Sequence, residues 1–186
     1  MDVAQRLVFL FFCVSISFGQ RVPQAFFERD TITTEQTFRI KSLDSIRTKT
    51  QAQREELALL YTQTADYDSS FELLNDLVED YPDEYDYQFL LGGVSGILAT
   101  EMPRAKSLPF VKTMRTAFEK AAMLNPNALE VQWVLLELYT ELPWLLGGSN
   151  KRAEETVELI KSLSVIEGHL AEGYYFRSTK KIKKLL

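Results

Sequence analysis

From Thr50 onward, apolar residues recur at helical spacing along the chain. Leu57, Leu60 and Tyr61 fall on one face of a first helix. Thr50 with Gln53 three residues on is a spacing at which each side chain satisfies an orphan backbone N–H of the first turn. A turn at Ala65-Asp66-Tyr67-Asp68 leads to a second helix with Phe71, Leu74, Leu77 and Val78 on one side. It is expected to end near Tyr81-Pro82, because proline disfavours helical dihedrals in the residue before it. Asp83 can cap a third helix carrying Phe89, Leu90, Val94, Ile97 and Leu98. Met102-Pro103 and then Pro109 break the pattern, and a fourth helix is predicted from Phe110 to Leu124, with Met114, Phe118, Ala121 and Ala122 inward. Asn125-Pro126 stops it. Asn127 and Glu130 repeat the cap spacing for a fifth helix through Val131, Trp133, Val134, Leu136, Leu138 and Tyr139. Ser149 or Asn150 starts a sixth through Ala153, Val157 and Ile160, and Ser164 with Glu167 opens a seventh through Leu170, Tyr174 and Phe176.

Seven helices with short turns and no period-2 strand predict an all-α fold. Their pairwise rhythm favours a solenoid over a closed bundle. Residues 20–49 are an extension whose structure the pattern does not fix; Phe38, Leu43 and Ile46 form a weak apolar stripe on a short helix.

The first segment carries a different signal. Arg6 precedes a short apolar run from Leu7 to Ile16, followed by Ser17-Phe18-Gly19-Gln20. This predicts a secretory signal peptide over residues 1–19, cleaved after Gly19, and hence a periplasmic or secreted protein. The run is shorter than the roughly 20 residues needed to span a bilayer. Cys13, the one cysteine, would leave with it, so the mature chain would have no disulfide and no thiolate nucleophile.

Charge adds a second asymmetry. The net charge is -5, and no Lys or Arg falls between Arg54 and Arg104, an interval holding acids from Glu55 to Glu101. Such a body repels nucleic-acid phosphates, so no nucleic-acid partner is expected. The C-terminus is the reverse: Arg177, Lys180, Lys181, Lys183 and Lys184 have no acid among them. This tail either contacts a membrane peripherally or covers the last helix pair with Ile182, Leu185 and Leu186; the covering role is favoured.

The residues from Thr50 to Phe176 resemble tetratricopeptide repeats, whose unit of about 34 residues sets an aromatic, Leu, a small residue and Tyr on one helix, Ala and Phe on the next, and Pro at the end. A unit from Gln51 places Leu57, Ala58, Tyr61, Tyr67, Leu74 and Pro82 at matching positions, with Arg54 where the leading aromatic is usual and Ser70 at the small position. A unit from Tyr85 matches Leu91-Gly92, then an insertion around Met102 to Pro109 delays Phe118, Ala121 and Pro126. A third, from Glu130, matches Trp133 and Leu136, with Glu137 where a small residue is usual. The segments Ala117–Asn127 and Glu141–Ala153 are similar to a subset of exported bacterial members. The resemblance implies a right-handed helical-hairpin solenoid of about three repeats with a C-terminal capping helix over residues 50–186. It also implies a ligand groove lined by the first helix of each unit. The matching positions are Glu55, Leu59, Thr62 and Gln63, then Phe89, Gly93 and Ile97, then Val134, Leu138 and Glu141. Small residues such as Ala58, Gly92 and Ala121 would sit at the helix crossings, and Trp144 would plug the seam between repeats.

Little points to catalysis, a cofactor or a metal. His169 stands beside Glu167 and Glu172 but has no second imidazole, and no G-x-S-x-G surrounds a serine. Asp66-x-Asp68 lacks the glycine and terminal Glu of a calcium loop, and Gly147-Gly148 lacks the lysine of a phosphate loop. The expectation is a non-catalytic interaction module or scaffold for a protein or peptide partner. The alternative is an accessory that binds a small ligand or carbohydrate on its tyrosines; a metal-assisted hydrolase is a distant third.

Overall fold

The computed structural model describes the backbone of residues 32–183 and the side chains of residues 32–103 and 106–179. The predicted signal segment with Cys13, the start of the extension, and Ile182, Leu185 and Leu186 of the tail lie outside these. The described chain is all-α, with α1 (Thr34–Asp44), α2 (Gln51–Gln63), α3 (Tyr67–Asp80), α4 (Tyr85–Glu101), α5 (Arg104–Leu124), α6 (Leu129–Glu141), α7 (Asn150–Leu163) and α8 (Val165–Lys183). A 3-10 turn, Trp144–Leu146, joins α6 to α7. Among the described residues no helix is long and apolar enough to cross a membrane. The chain divides into two compact units, the first ending at Met114 and the second beginning at Arg115, so the division falls inside α5.

In the first unit, α1 and α2 both open on full capping boxes. Thr33 and Gln36 bond reciprocally, as do Thr50 and Gln53. Thr50→Ala removes one of these acceptors and is expected to cost about 1 kcal/mol. A thermal melt should fall by roughly 2–4 °C; an unchanged midpoint would show that α2 is held by packing alone. The sequence had left α1 unplaced. Leu43 is buried as the stripe implies, but Phe38 is 74% exposed, so α1 turns a narrower apolar edge inward. It is tied to α2 by Arg39 with Glu56 and by the Tyr61 hydroxyl, which donates to Asp44 at 2.7 Å.

Helices α2 and α3 run antiparallel: Arg54 at the start of α2 meets Asp80 at the end of α3, while Thr62 meets Ser70 at the other end. The Ser70 hydroxyl is fully buried, 2.7 Å from the Thr62 hydroxyl and 3.0 Å from the Ala58 carbonyl. A small residue there lets the helices approach, and its hydroxyl is hydrogen-bonded in compensation. Arg54, standing where an aromatic would be usual, lies over the Tyr81 ring at 5.8 Å. Ala58 and Gly92 are buried, as expected of crossing positions.

Three expected boundaries move. Pro109 does not break the chain; it is the sixth residue of α5, which runs unbroken from Arg104. Proline there forfeits the bond its N–H would give to Ala105 and crowds that carbonyl, yet the helix continues past it to Leu124. Nor do Asp83 and Asn127 cap: the caps are Glu84 and Ala128, and neither makes a side-chain cap bond. The support comes from inside the helix. The Gln88 amide donates to the Pro82 carbonyl at 2.9 Å, and the Gln132 amide donates to the Pro126 carbonyl at 2.9 Å. Both glutamines are buried, and the same brace of a proline turn thus occurs once in each unit.

In the second unit, Phe118, Ala121, Val131, Leu136, Leu138, Ala153, Ile160 and Ala171 form the core. Tyr175 donates to Glu154 at 2.6 Å, and Gly168 abuts the Lys161 backbone, so α7 and α8 are antiparallel. Trp133 donates to Glu167 at 3.0 Å and Tyr174 to Glu141 at 3.3 Å, so α6 and α8 run parallel. At the start of α8 the Ser164 hydroxyl accepts from the Glu167 backbone at 3.4 Å, and the Glu167 carboxylate takes the indole of Trp133. Trp144 does not plug a seam. It is 79% exposed, because the tight reversal from Pro143 to Gly148 leaves Trp144 and Leu145 at its tip.

Candidate functional site

The ten positions inferred for a groove separate by burial. Thr62, Val134 and Leu138 are buried, at 4%, 4% and 0% exposure, and offer a ligand no side-chain surface as folded. Thr62 is spent on Ser70 and on its own helix, where its hydroxyl donates to the Ala58 carbonyl at 2.9 Å. Val134 and Leu138 belong to α6, which is buried at nearly every position from Val131 to Thr140. Glu141 is half-buried and takes the Tyr174 hydroxyl.

The remaining six fall in the first unit. Glu55 and Leu59 are half-buried on α2, one turn apart, with Gln63 exposed on the next turn. Phe89, Gly93 and Ile97 make the matching half-buried row on α4. Phe89 stacks on Tyr85 at 5.7 Å. A side chain added at Gly93 would meet nothing within 4 Å, so the surface beside it is open. The first turns of α2 and α4 are bridged by a residue the sequence pattern did not single out. Tyr87 is buried, its hydroxyl accepting from the Gln51 amide at 3.0 Å and donating to Glu55 at 3.1 Å. Burial holds the Tyr87 phenol above its ordinary pKa, with the Glu55 carboxylate adding to the effect, so the hydroxyl stays a donor to that carboxylate. The aromatic run Tyr81, Tyr85, Tyr87 and Phe89 was its available signal.

Helix α3 and the turn into α4 carry a run of exposed acids, while Arg39 on α1 and Arg54 on α2 are in ion pairs with Glu56 and Asp80. Asp68, Glu72, Asp76, Glu79, Asp83 and Asp86 are exposed. Asp66 caps α3 by accepting from the Ser69 backbone at 3.2 Å, so the Asp66-x-Asp68 pair is the start of a helix. Chemically the α4 row offers apolar contact, with one oriented carboxylate on α2 and an acid-rich helix α3 in the same unit, which suit a cationic and apolar ligand. His169 is largely exposed and reaches only Glu172, at 3.9 Å. Among the described residues no group of three or more His, Cys, Asp or Glu is placed to hold a metal.

No protein-family description matches the chain, and no curated protein or solved structure matches it significantly.

Proposed function

We propose that this protein is an exported helical-repeat interaction module of the tetratricopeptide type, non-catalytic, which holds a cationic, partly apolar peptide segment of a partner protein. The repeat assignment draws support from the twice-built brace of Gln88 on Pro82 and Gln132 on Pro126. It also draws on the helical hairpin α2–α3 in one unit and α7–α8 in the other. Export to a periplasm or the medium rests on the N-terminal apolar run alone.

The observation that carries the binding role is the half-buried row of Phe89, Gly93 and Ile97, near an oriented Glu55, in a stretch without a single Lys or Arg from Glu55 to Pro103. A helix row that is apolar yet only half covered is the surface a peptide's side chains complete. The acid-rich sequence of this unit from Glu55 to Glu101 favours a basic partner and speeds its arrival.

The test is a panel of fluorescent peptides that alternate Lys or Arg with Leu or Phe, set against acidic versions of the same length. Basic peptides should bind and weaken with salt. Gly93→Trp fills the open surface and should weaken binding by about tenfold or more while the melting temperature holds. Equal binding of acidic and basic peptides, or no effect of Gly93→Trp, would remove this assignment.

A further inference from the structure

We propose that one end of the second unit docks on an anionic lipid bilayer, with Trp144 and Leu145 entering the headgroup region. The surface is independent of the peptide face in the first unit. Trp144 and Leu145 are adjacent, large, apolar, and 79% and 74% exposed. Nothing about their backbone is loose. Leu146 and Gly148 donate to the Pro143 carbonyl at 2.8 and 3.1 Å, Gly147 donates to Trp144 at 3.1 Å, and Ser149 donates to Tyr139 at 2.8 Å. Gly147 adopts φ 105° with Arg115 packed against it, and Gly148 is seated on the Leu142 carbonyl. A turn fixed on both sides therefore presents two apolar side chains that water solvates poorly.

The same end gathers positive charge. Tyr174 on Glu141 and Tyr175 on Glu154 bring the C-terminal half of α8 beside the end of α6 and the start of α7. Phe176 is 51% exposed there, with Arg177 exposed beside it, and Lys151 is exposed at the start of α7. The chain then continues through Lys180, Lys181, Lys183 and Lys184, with no acid after Glu172. Two nearby acids are ion-paired, Glu155 with Lys151 at 3.7 Å and Glu119 with Arg152 at 2.7 Å. Glu141 and Glu154 accept from tyrosines, so the net positive charge comes from Arg177 and the lysines that follow it in sequence.

An exposed indole, two further apolar side chains and an acid-free run of cations are what an anionic bilayer takes up. Tryptophan settles at the headgroup level and lysines add attraction to the charged surface. One such signal alone gives weak attachment; the two together give a usable one.

The test uses the purified chain with vesicles of phosphatidylcholine alone or mixed with phosphatidylglycerol, in flotation and tryptophan-emission assays. Expected are binding to the mixed vesicles only, a blue shift of emission, and release by salt. Trp144→Ser with Leu145→Ser should weaken binding by about tenfold or more. Leu145→Ser alone should weaken it less, and Ile166→Ser, at the opposite end of α8, not at all. Circular dichroism melts establish that each variant is folded, and the single variant serves if the double one is not. Absence from mixed vesicles, equal binding to neutral ones, undiminished binding by both turn variants, or a self-association that Trp144→Ser dissolves would each overturn the proposal.

Discussion

Replacing Glu137 with glutamine is expected to stabilise the protein at neutral and mildly alkaline pH and to leave it nearly unchanged near pH 4.5. Glu137 is 4% exposed on α6, and burial pushes its carboxyl up to about 8, with the Glu141 carboxylate one turn on adding to the shift. Tyr174 faces the same pair from α8 and is itself held well above the ordinary phenol range, by burial first and by Glu137 and Glu141 next. Its hydroxyl goes to Glu141. Between pH 4.5 and about 8 the folded chain holds a proton on Glu137 that the unfolded chain has lost. Raising the pH through that window therefore draws stability from the native state, by on the order of 2–3 kcal/mol at pH 7. Glutamine keeps the shape, stays neutral at every pH, and can donate to Glu141. Denaturant melts of both proteins from pH 5 to 8 should diverge with rising pH, the variant flatter. Parallel curves would mean that the carboxylate is solvated when folded, and the packing of α6 on α8 would need redrawing.

Gly148→Ala is expected to act in the opposite sense and as strongly, with a loss of about 3 kcal/mol or more. A β-carbon at this position would fall on the backbone carbonyl of Leu142, far inside van der Waals contact. Backbone cannot swing aside as a flexible side chain does, so the turn would have to open. Opening it strains the bonds from Gly148 to Pro143 and from Ser149 to Tyr139, which join α6 to α7. Chemical denaturation reads the loss directly. A variant as stable as the parent would show that the reversal has a second, roomier geometry.

These two positions also mark where the sequence was legible and where it was not. Helices α2, α3 and α7 could be bounded closely, because Thr50, Asp66, Pro82 and Ser149 act through contacts within a few residues. Local chemistry writes itself into local sequence. The all-α class and the inward Ala121 follow from periodicity in the same way, while the buried Ala58 and Gly92 follow from the repeat resemblance. Helix α6 resisted because it is apolar nearly all round, so no stripe distinguishes a lining face from a core face. The repeat resemblance sets Val134 and Leu138 in the groove, and the structure puts both in the core. Glu137 carried a faint signal, a carboxylate where the repeat favours a small side chain, but only the packing of α8 makes it buried. Trp144 carried none. Large aromatics are buried more often than not, and its exposure depends on a turn geometry set by Gly148 and the Leu142 carbonyl. Tyr87 stands in a visible aromatic run, but nothing local marks it as a bridge, because its partners Gln51 and Glu55 lie a helical hairpin away.

Within each unit, packing joins helices that are consecutive or one apart in the chain: α2 with α3 and α3 with α4 in the first, α6 with α7, α7 with α8 and α6 with α8 in the second. Such wiring keeps loop-closure entropy small, because partners never wait for a distant stretch of polypeptide. Refolding from denaturant should then finish in about a millisecond or less, with no oxidant required, since Cys13 is the one cysteine. A protein wired this way can be drawn out as a thread and recover its shape hairpin by hairpin as it emerges.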